Sequence, residues 1–393
     1  MTATLFTPVD LGGVTLPNRI VVSPMCQYSA VDGSAQPWHQ VHYGMLSMSG
    51  AGLLCFEATH VEREGRITQG CLGIYSDENE AALKPVVEWI RGWMPGVKLG
   101  VQLAHAGRKA SAQRPWKGGG PLTQVDAPDL PWTTFSASAL PYDPAAKWHA
   151  PVPLDSVGLT RVKDAFVSGV ERSLRLGFDV IELHGAHGYG LHQFLSPLSN
   201  HRTDAYGGTM EKRRRFPLEV FEACRRLVPA DKALGIRLSA TDWVEGGLTI
   251  DDTVETARQL KALGCDFVDV SSGGNSPAQK IAVTPGYHVP FAAQVRREAG
   301  IRTWAVGVIT EPDRPSASWP RARPTARPTP GPSCSTRAGA GMPPARSVWT
   351  RRPCPFRWRV RPLSCRSSLS PWCSERPNRD DAWRACCWLR MNF

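Results

Sequence analysis

Short apolar runs, five or six residues long, alternate along the chain with stretches in which apolar positions recur every three or four residues. After Thr160, residues Val162, Phe166, Val170 and Leu174 fall on one helix face, and Gly177 stops the helix. Phe178-Asp-Val-Ile-Glu-Leu183 then reads as a short buried strand. The arrangement returns 87 residues on. Thr249 with Asp252 makes an N-terminal capping pair, Val254, Ala257 and Leu260 mark the helix, Gly264 stops it, and Cys265-Asp-Phe-Val-Asp-Val270 is the strand. Leu176-Gly-Phe-Asp179 and Leu263-Gly-Cys-Asp266 align position by position, so one αβ unit is repeated.

Further strands are predicted at Arg19–Ser23, Leu53–Glu57, Lys98–Leu103, Ala233–Leu238 and Thr303–Val308, and helices at 76–93, 210–228, 251–263 and 288–299. Strands alternating with helices imply a parallel sheet. Seven such units, with a long insert at 108–156, suit an α/β (β/α)₈ TIM barrel interrupted before its last unit. A doubly wound sheet is the alternative, but the Gly-x-Gly-x-x-Gly turn it usually carries is missing. Gly118-Gly-Gly120 and Ser271-Ser-Gly-Gly274 have the wrong spacing.

The chain has 393 residues and a net charge of +11, which at first points to nucleic acid. The excess is local. Residues 313–393 hold 16 arginines, no lysine and four acidic residues, a net of +12, so residues 1–312 are nearly neutral. The same tail carries 13 prolines, ten serines, six cysteines and six tryptophans, and keeps no helical or strand period. These are the residues that GC-rich codons yield out of frame, and the tail reads as a frameshift shortly after Glu311-Pro312. A genuine disordered Arg/Pro-rich tail is the alternative. The expected division is therefore a barrel over 1–312 and an aberrant tail over 313–393. No apolar run is long enough to span a membrane, and the N-terminus lacks a secretory pattern. The cysteines of the barrel segment, Cys26, Cys55, Cys71, Cys224 and Cys265, form no CxxC pair. Together these predict a cytoplasmic protein.

In a barrel of this kind the chemistry sits at the carboxyl ends of the strands. Those ends read Ser23-Pro-Met-Cys-Gln-Tyr28, Glu57-Ala-Thr59, Gln102-Leu-Ala-His105, His184-Gly-Ala-His-Gly-Tyr189, Arg237-Leu-Ser-Ala240, Ser271-Ser-Gly-Gly274 and Gly307. The set is rich in neutral hydrogen-bonding groups and poor in carboxylates, and it lacks a strand-end lysine for Schiff-base work. It suits a large, flat, electron-rich ligand. A lone histidine reads as packing, but His184 and His187, three apart beside Tyr189, read as a pair facing one ligand. A third ligand with zinc spacing is missing.

The runs Pro17-Asn-Arg-Ile20, Ser23-Pro-Met-Cys26, His184 through Tyr189, His192-Gln-Phe-Leu-Ser-Pro197, Asn200 through Gly208, Arg213-Arg-Arg-Phe216 and Arg237-Leu-Ser239 resemble the old yellow enzyme family. The likeness is to its bacterial branch of thermophilic-like ene-reductases and xenobiotic reductases, and spans about residues 3–312. It implies a TIM barrel that binds FMN without a covalent link and reduces the C=C bond of α,β-unsaturated carbonyl compounds with electrons from NADPH or NADH. By this resemblance His184 and His187 hold the substrate carbonyl, Tyr189 donates a proton, and Tyr28 lines the substrate pocket. Ser23, Pro24, Met25, Cys26, Ala58, Gln102, Arg237, Ser272 and Gly307 bind the flavin. Packing for Tyr28, an inert thiol for Cys26 and a structural ion pair for Arg237 are the plainer alternatives. The expected partner is a small-molecule enone, with neither membrane nor nucleic acid involved, and the intact relatives are homo-oligomers. The competing class is a non-catalytic product whose basic tail binds nucleic acid non-specifically.

In the family, strand 8 supplies a Gly-Arg pair that grips the FMN phosphate, and nothing after Pro312 matches it. The chain as written is expected to leave strands 1 and 7 with open edges and to hold FMN weakly. A gene corrected in frame after codon 312 is expected to give a yellow, active protein. Flavin absorbance of the two purified proteins checks this, and full loading of the chain as written overturns it.

Overall fold

The computed structural model describes residues 4–126 and 130–309 and the backbone of 389–392. One unit comprises residues 1–319 with 388–393. The second, 320–387, lies outside the described residues, as does nearly all of the tail set apart by composition.

The described chain runs from a hairpin, β1 (Val9–Leu11) and β2 (Val14–Leu16), into β3 (Ile20–Val22), α1 (Pro37–Ser47), β4 (Leu53–His60), α2 (Asp77–Trp93) and β5 (Lys98–Ala104). An insert carrying the short strands β6 (Phe135–Ser136) and β7 (Val152–Pro153) leads to α3 (Ser156–Arg175), β8 (Val180–Gly185), α4 (Gly190–Leu195), α5 (Met210–Arg225) and β9 (Ala233–Ser239). Then follow α6 (Ile250–Ala262), β10 (Phe267–Ser271), α7 (Val289–Ala299) and β11 (Arg302–Ala305). Strands β3, β4, β5, β8, β9, β10 and β11 lie side by side and parallel, each from one repeated αβ unit. The fold is thus the TIM-type α/β barrel read from the periodicity. Its eighth place differs from the expectation of open edges. A strand β12 (Leu389–Asn392) pairs antiparallel with both β11 and β3 and closes the ring.

Local signals explain the elements. The Thr249 hydroxyl accepts from the Asp252 N–H at 3.3 Å, and the Asp252 carboxylate accepts from the Thr249 N–H at 3.0 Å, a reciprocal cap on α6. Gly177 and Gly264 hold φ of 83° and 86°, the left-handed turn that ends α3 and α6. Helix α3 begins before Thr160, because Asp155 caps it by accepting from the Gly158 N–H at 2.7 Å. Helix α1 begins at Pro37, a residue that loses nothing at a helix's first position, and its weak apolar periodicity hides it from pattern reading.

The amino ends of the strands are sealed by the hairpin. Val9, Leu11, Val14 and Leu16 pack on Val21, Leu53, Val180, Ala233, Phe267 and Trp304, one residue from each of six barrel strands. Phe267 and Trp304 stack with centroids 4.1 Å apart. At the other end the insert is pinned by Arg202, which donates to the carbonyl oxygens of Ala137 (3.0 Å) and Leu154 (2.7 Å) while paired with Asp204. Part of the Asn200–Gly208 run is therefore a structural clip. Closing one end leaves the other for ligands. Phe267→Ala is expected to cost about 3–5 kcal/mol through loss of packing in the sealed end, read as a lower urea midpoint, with flavin absorbance per folded molecule unchanged.

Candidate active site at the carboxyl ends of the strands

The mouth begins where β3 ends. Ser23 is buried, and its hydroxyl has no hydrogen-bond partner among the described residues. Pro24, Met25 and Cys26 follow in an extended loop, and Tyr28 turns the chain with a φ of 51°. Its ring meets the edge of Trp116 at 5.9 Å. Glu57 anchors this loop from below. The β4–β5 register slips between Phe56 and Ala58, a bulge that leaves Glu57 unpaired in the ladder and sets Ala58 opposite Gln102. The fully buried Glu57 carboxylate accepts from the Gln27 N–H at 2.9 Å and the Tyr43 hydroxyl at 3.0 Å. Burial raises this carboxyl to about 7, against the pull of those two donors. Burial likewise pushes the Cys26 thiol well up, with Cys71 and Glu57 adding to it. The five cysteines of the described chain are free thiols.

Below the mouth runs a polar layer inside the barrel. Alternate residues of each strand face inward; Gln102 on β5 stands opposite Glu182 on β8, and Arg237 on β9 stands opposite Asp269 on β10 and His184 on β8, two residues further along. The Gln102 amide donates to Glu182 at 2.7 Å, and Arg237 Nε stands 2.9 Å from Asp269. The two carboxylates are fully buried. Arg237 thus has the ion pair that was the plainer reading, and lies on the inner wall as well.

Beside Arg237 in register, His184 stands next to last in β8, and the turn after the strand carries His187 and Tyr189. The ring centroids of His184 lie 5.2 Å from His187 and 5.0 Å from Tyr189. His187 and Gly188 both take left-handed backbone, with φ of 57° and 71°. The Ala186 N–H points at His184 Nδ1 (3.3 Å), which leaves the ring proton on Nε2. His187 Nε2 lies 2.7 Å from the Ser271 hydroxyl. Burial, then Arg237 and His184, pull His187 well below the ordinary imidazole range, so it is neutral near pH 7. Burial pushes the Tyr189 phenol well up, Cys26 and Cys71 add to that, and Arg237 opposes it. His192 braces the turn from beneath. Its Nδ1 accepts from the Gly188 N–H at 2.8 Å, and its Nε2 faces the buried Asp242 at 3.2 Å.

On the far side the Ser272 hydroxyl is taken up inside the protein, receiving from Trp243 Nε1 at 2.7 Å and lying 2.7 Å from His288 Nε2. Only its backbone is left to face a ligand. Gly307 has a φ of 113°, and a Cβ there would come within 2.9 Å of Tyr287, so the loop after β11 fits closely at this point.

The predicted residues therefore gather at one end of one barrel. Three further participants escaped sequence reading. Glu182 and Asp269 occupy alternate inward positions of buried strands, a spacing that marks them in hindsight. Lys109 follows β5 in a single 3₁₀ turn (Gly107–Lys109) and reaches the His187 carbonyl at 3.0 Å. The described residues hold no cluster able to bind a metal ion and no helix long and apolar enough to cross a membrane.

The model of the NADH:flavin oxidoreductase / NADH oxidase family matches residues 4–318. The NADPH dehydrogenase of Geobacillus sp. (strain WCH70) is 43% identical over 312 residues, covering 79% of this chain and 84% of that protein. The NADPH dehydrogenase of Bacillus subtilis (strain 168) is 40% identical over 313 residues, 79% and 85% of the two chains. Among solved structures, morphinone reductase superposes with a TM-score of 0.61 at 27% identity, covering 77% of this chain and 79% of that one.

The burial of Glu57 sets a pH signature. Its folded value is raised, so its contribution to stability is complete below about 4.5 and is lost as pH rises through about 7. Glu57→Gln cannot ionise. Its unfolding free energy, read from urea titrations, is expected to stay flatter across this window than that of the parent, by roughly 3 kcal/mol in total, and parallel profiles would refute the assignment.

Proposed function

Because the chain belongs to the NADH:flavin oxidoreductase / NADH oxidase family, and is an FMN-dependent NAD(P)H oxidoreductase, we propose that it reduces the C=C bond of α,β-unsaturated carbonyl compounds. The observation that carries this reading is the grouping of three proton-bearing rings at the barrel mouth, with the His184 centroid 5.2 Å from that of His187 and 5.0 Å from that of Tyr189.

The residues at hand fit the flavin ring of FMN. Ser23 offers a buried hydroxyl with no partner among the described residues, Gln102 and Arg237 offer N–H donors from the inner wall, and Gly307 offers close backbone approach. The backbone of Pro24, Met25 and Ser272, with Cys26 and the small Ala58, completes the proposed cradle. Bound FMN supplies hydride, taken from NADPH or NADH in one half-reaction and delivered to the substrate in the other. Phosphate recognition does not need a Rossmann glycine turn in this scheme, since one mouth serves nicotinamide and substrate in turn.

The protein's own groups do the rest. With its proton on Nε2, His184 donates to the substrate carbonyl oxygen. We assign the His187 proton to Nδ1, the tautomer in which the Ser271 hydroxyl, 2.7 Å from Nε2, is the donor there, and so a second donor to the same oxygen. Two such donors stabilise the charge that gathers on that oxygen as the β-carbon is attacked. Keeping both imidazoles neutral prevents a full positive charge from trapping the product enolate. Tyr189 hands its phenol proton to the α-carbon, and Tyr28 with the Trp116 edge walls the pocket. The turn that holds these rings is rigid, because His192 and Asp242 fix Gly188 from below.

Tyr189→Phe is expected to slow the oxidation of the reduced holoenzyme by 2-cyclohexenone by roughly 10²–10⁴-fold while leaving its reduction by NADPH unchanged. Stopped-flow absorbance of the two half-reactions measures this separately. Equal loss in both halves would remove Tyr189 from the donor role.

A further inference from the structure

Desolvation makes the phenol of Tyr189 a poorer acid than tyrosine in water, yet the proposed reaction asks it to release a proton. Its surroundings contain one answer. Among the described residues, the cation on the face of the Tyr189 ring is Lys109, with Nζ 4.9 Å from the centroid. The same ammonium lies 4.6 Å from the centre of the Tyr142 ring. It donates to the His187 carbonyl at 3.0 Å and the Gly274 carbonyl at 2.9 Å. Among the described residues burial and Arg108 act on this amine and no carboxylate offsets them, which is unusual for a desolvated ammonium.

The two carbonyls mark a place where two loops meet closely. A Cβ on Gly188 would come within 2.4 Å of the Gly274 oxygen, and one on Gly274 within 2.5 Å of His187 Cα. Lys109 therefore closes the seam between the turn after β8 and the loop after β10. It does so one residue from the proposed donor.

We propose that Lys109 is a positioning residue for Tyr189: its ammonium joins the His187–Gly188 turn to Gly274, fixes the phenol by its ring face, and stabilises the phenolate left when the proton departs. This rests on the reading of Tyr189 as the donor. In that step the Tyr189 O–H bond breaks as a C–H bond forms at the substrate α-carbon, using the electron pair of the enolate. The phenolate is then reprotonated from water. Lys109 gives up no proton; its charge lowers the cost of the transient anion.

Burial, with Arg108 beside it, brings the Lys109 amine down to about 7. The titratable groups around it are His187 and Tyr189 on the turn, Tyr142 on the insert and Arg108 on its own 3₁₀ turn. The ammonium fraction, and with it the rate of the substrate half-reaction, is expected to fall as pH rises through neutrality.

The test uses FMN-loaded full-length protein, with 2-cyclohexenone as probe and stopped-flow readout of each half-reaction. Lys109→Met is expected to slow the oxidative half by roughly 10- to 30-fold, to leave reduction by NADPH unchanged, and to abolish the fall above neutral pH. Lys109→Arg keeps the charge and is expected to restore most of the rate and to extend the plateau to higher pH. In a Tyr189→Phe background, Lys109→Met is expected to add nothing. A slow Tyr189→Phe with a normal Lys109→Met overturns the role of Lys109 alone. A normal Tyr189→Phe overturns the donor reading and this proposal with it. Should Lys109→Met fail to fold, Lys109→Gln and the pH profile of the unaltered protein decide the matter, and a profile that Lys109→Gln leaves unchanged refutes the proposal.

Discussion

A guanidinium inside a barrel needs an anion, and an anion there needs donors. The inside of this barrel meets both demands in two cross-strand pairs. Arg237 faces Asp269 across the β9–β10 ladder, and Gln102 donates to Glu182 across the β5–β8 ladder. Each pair joins neighbouring strands in register, so a slip of one residue in either ladder would break a buried polar pair. Removing one partner of a buried pair typically costs about 3–5 kcal/mol. The layer therefore acts less as a source of stability than as a gauge of register. Everything at the mouth inherits its position from it, because His184 and Ser271 stand two residues above Glu182 and Asp269 on the same strands.

That inheritance explains how a strained turn can hold three rings in place. His187 takes left-handed backbone, which is costly for a residue with a Cβ. It stays there because its N–H donates to the Ser239 hydroxyl at 3.0 Å, His192 captures the Gly188 N–H, and Gln193 donates to the Gly188 carbonyl at 2.6 Å. Gln193 also accepts from the Arg108 N–H at 3.1 Å. The 3₁₀ turn that bears Lys109 and the helix that follows Tyr189 are thus tied to a single amide. Preorganised donors of this kind need no rearrangement when charge develops on a ligand.

The sequence disclosed what repeats and what is punctuated. Gly177 and Gly264, with the Asp that follows two residues later, mark two αβ units because a left-handed glycine and a buried strand leave the same trace wherever they occur. The strand-end polar residues were legible for the same reason: a polar group closing an apolar run has no place in a core. Helix α1 was not, since it carries no charged residue and several exposed apolar ones, among them Trp38, Val41 and Met45. The β1–β2 hairpin was missed because strands of three residues are too short to show a period. Lys109 was hidden for a different reason. Its role depends on a backbone carbonyl 78 residues away and another 165 residues away, and spacing along a chain carries no trace of such contacts.

The eighth position separates two requirements that a regular barrel satisfies together. Closing the sheet takes only backbone donors and acceptors at the free edges of β3 and β11, and these accept a strand of either direction. Strand β12 meets that need while running antiparallel, with Leu389 beside Val22 and Met391 beside Ile20. Binding at the mouth has a stricter demand, because it draws on loops that leave the carboxyl ends of strands. An antiparallel strand brings its amino end to the mouth and sends its carboxyl end toward the sealed base. Closure by β12 therefore completes the hydrogen-bonded ring without bringing an eighth carboxyl end, and the loop that would leave it, to the mouth. The polar pairs, the histidine pair and the Lys109 seam arise on β5, β8, β9 and β10, none of which neighbours that strand in the ring. Their geometry depends on the ladders among those four strands, and the direction in which the ring is closed leaves it intact.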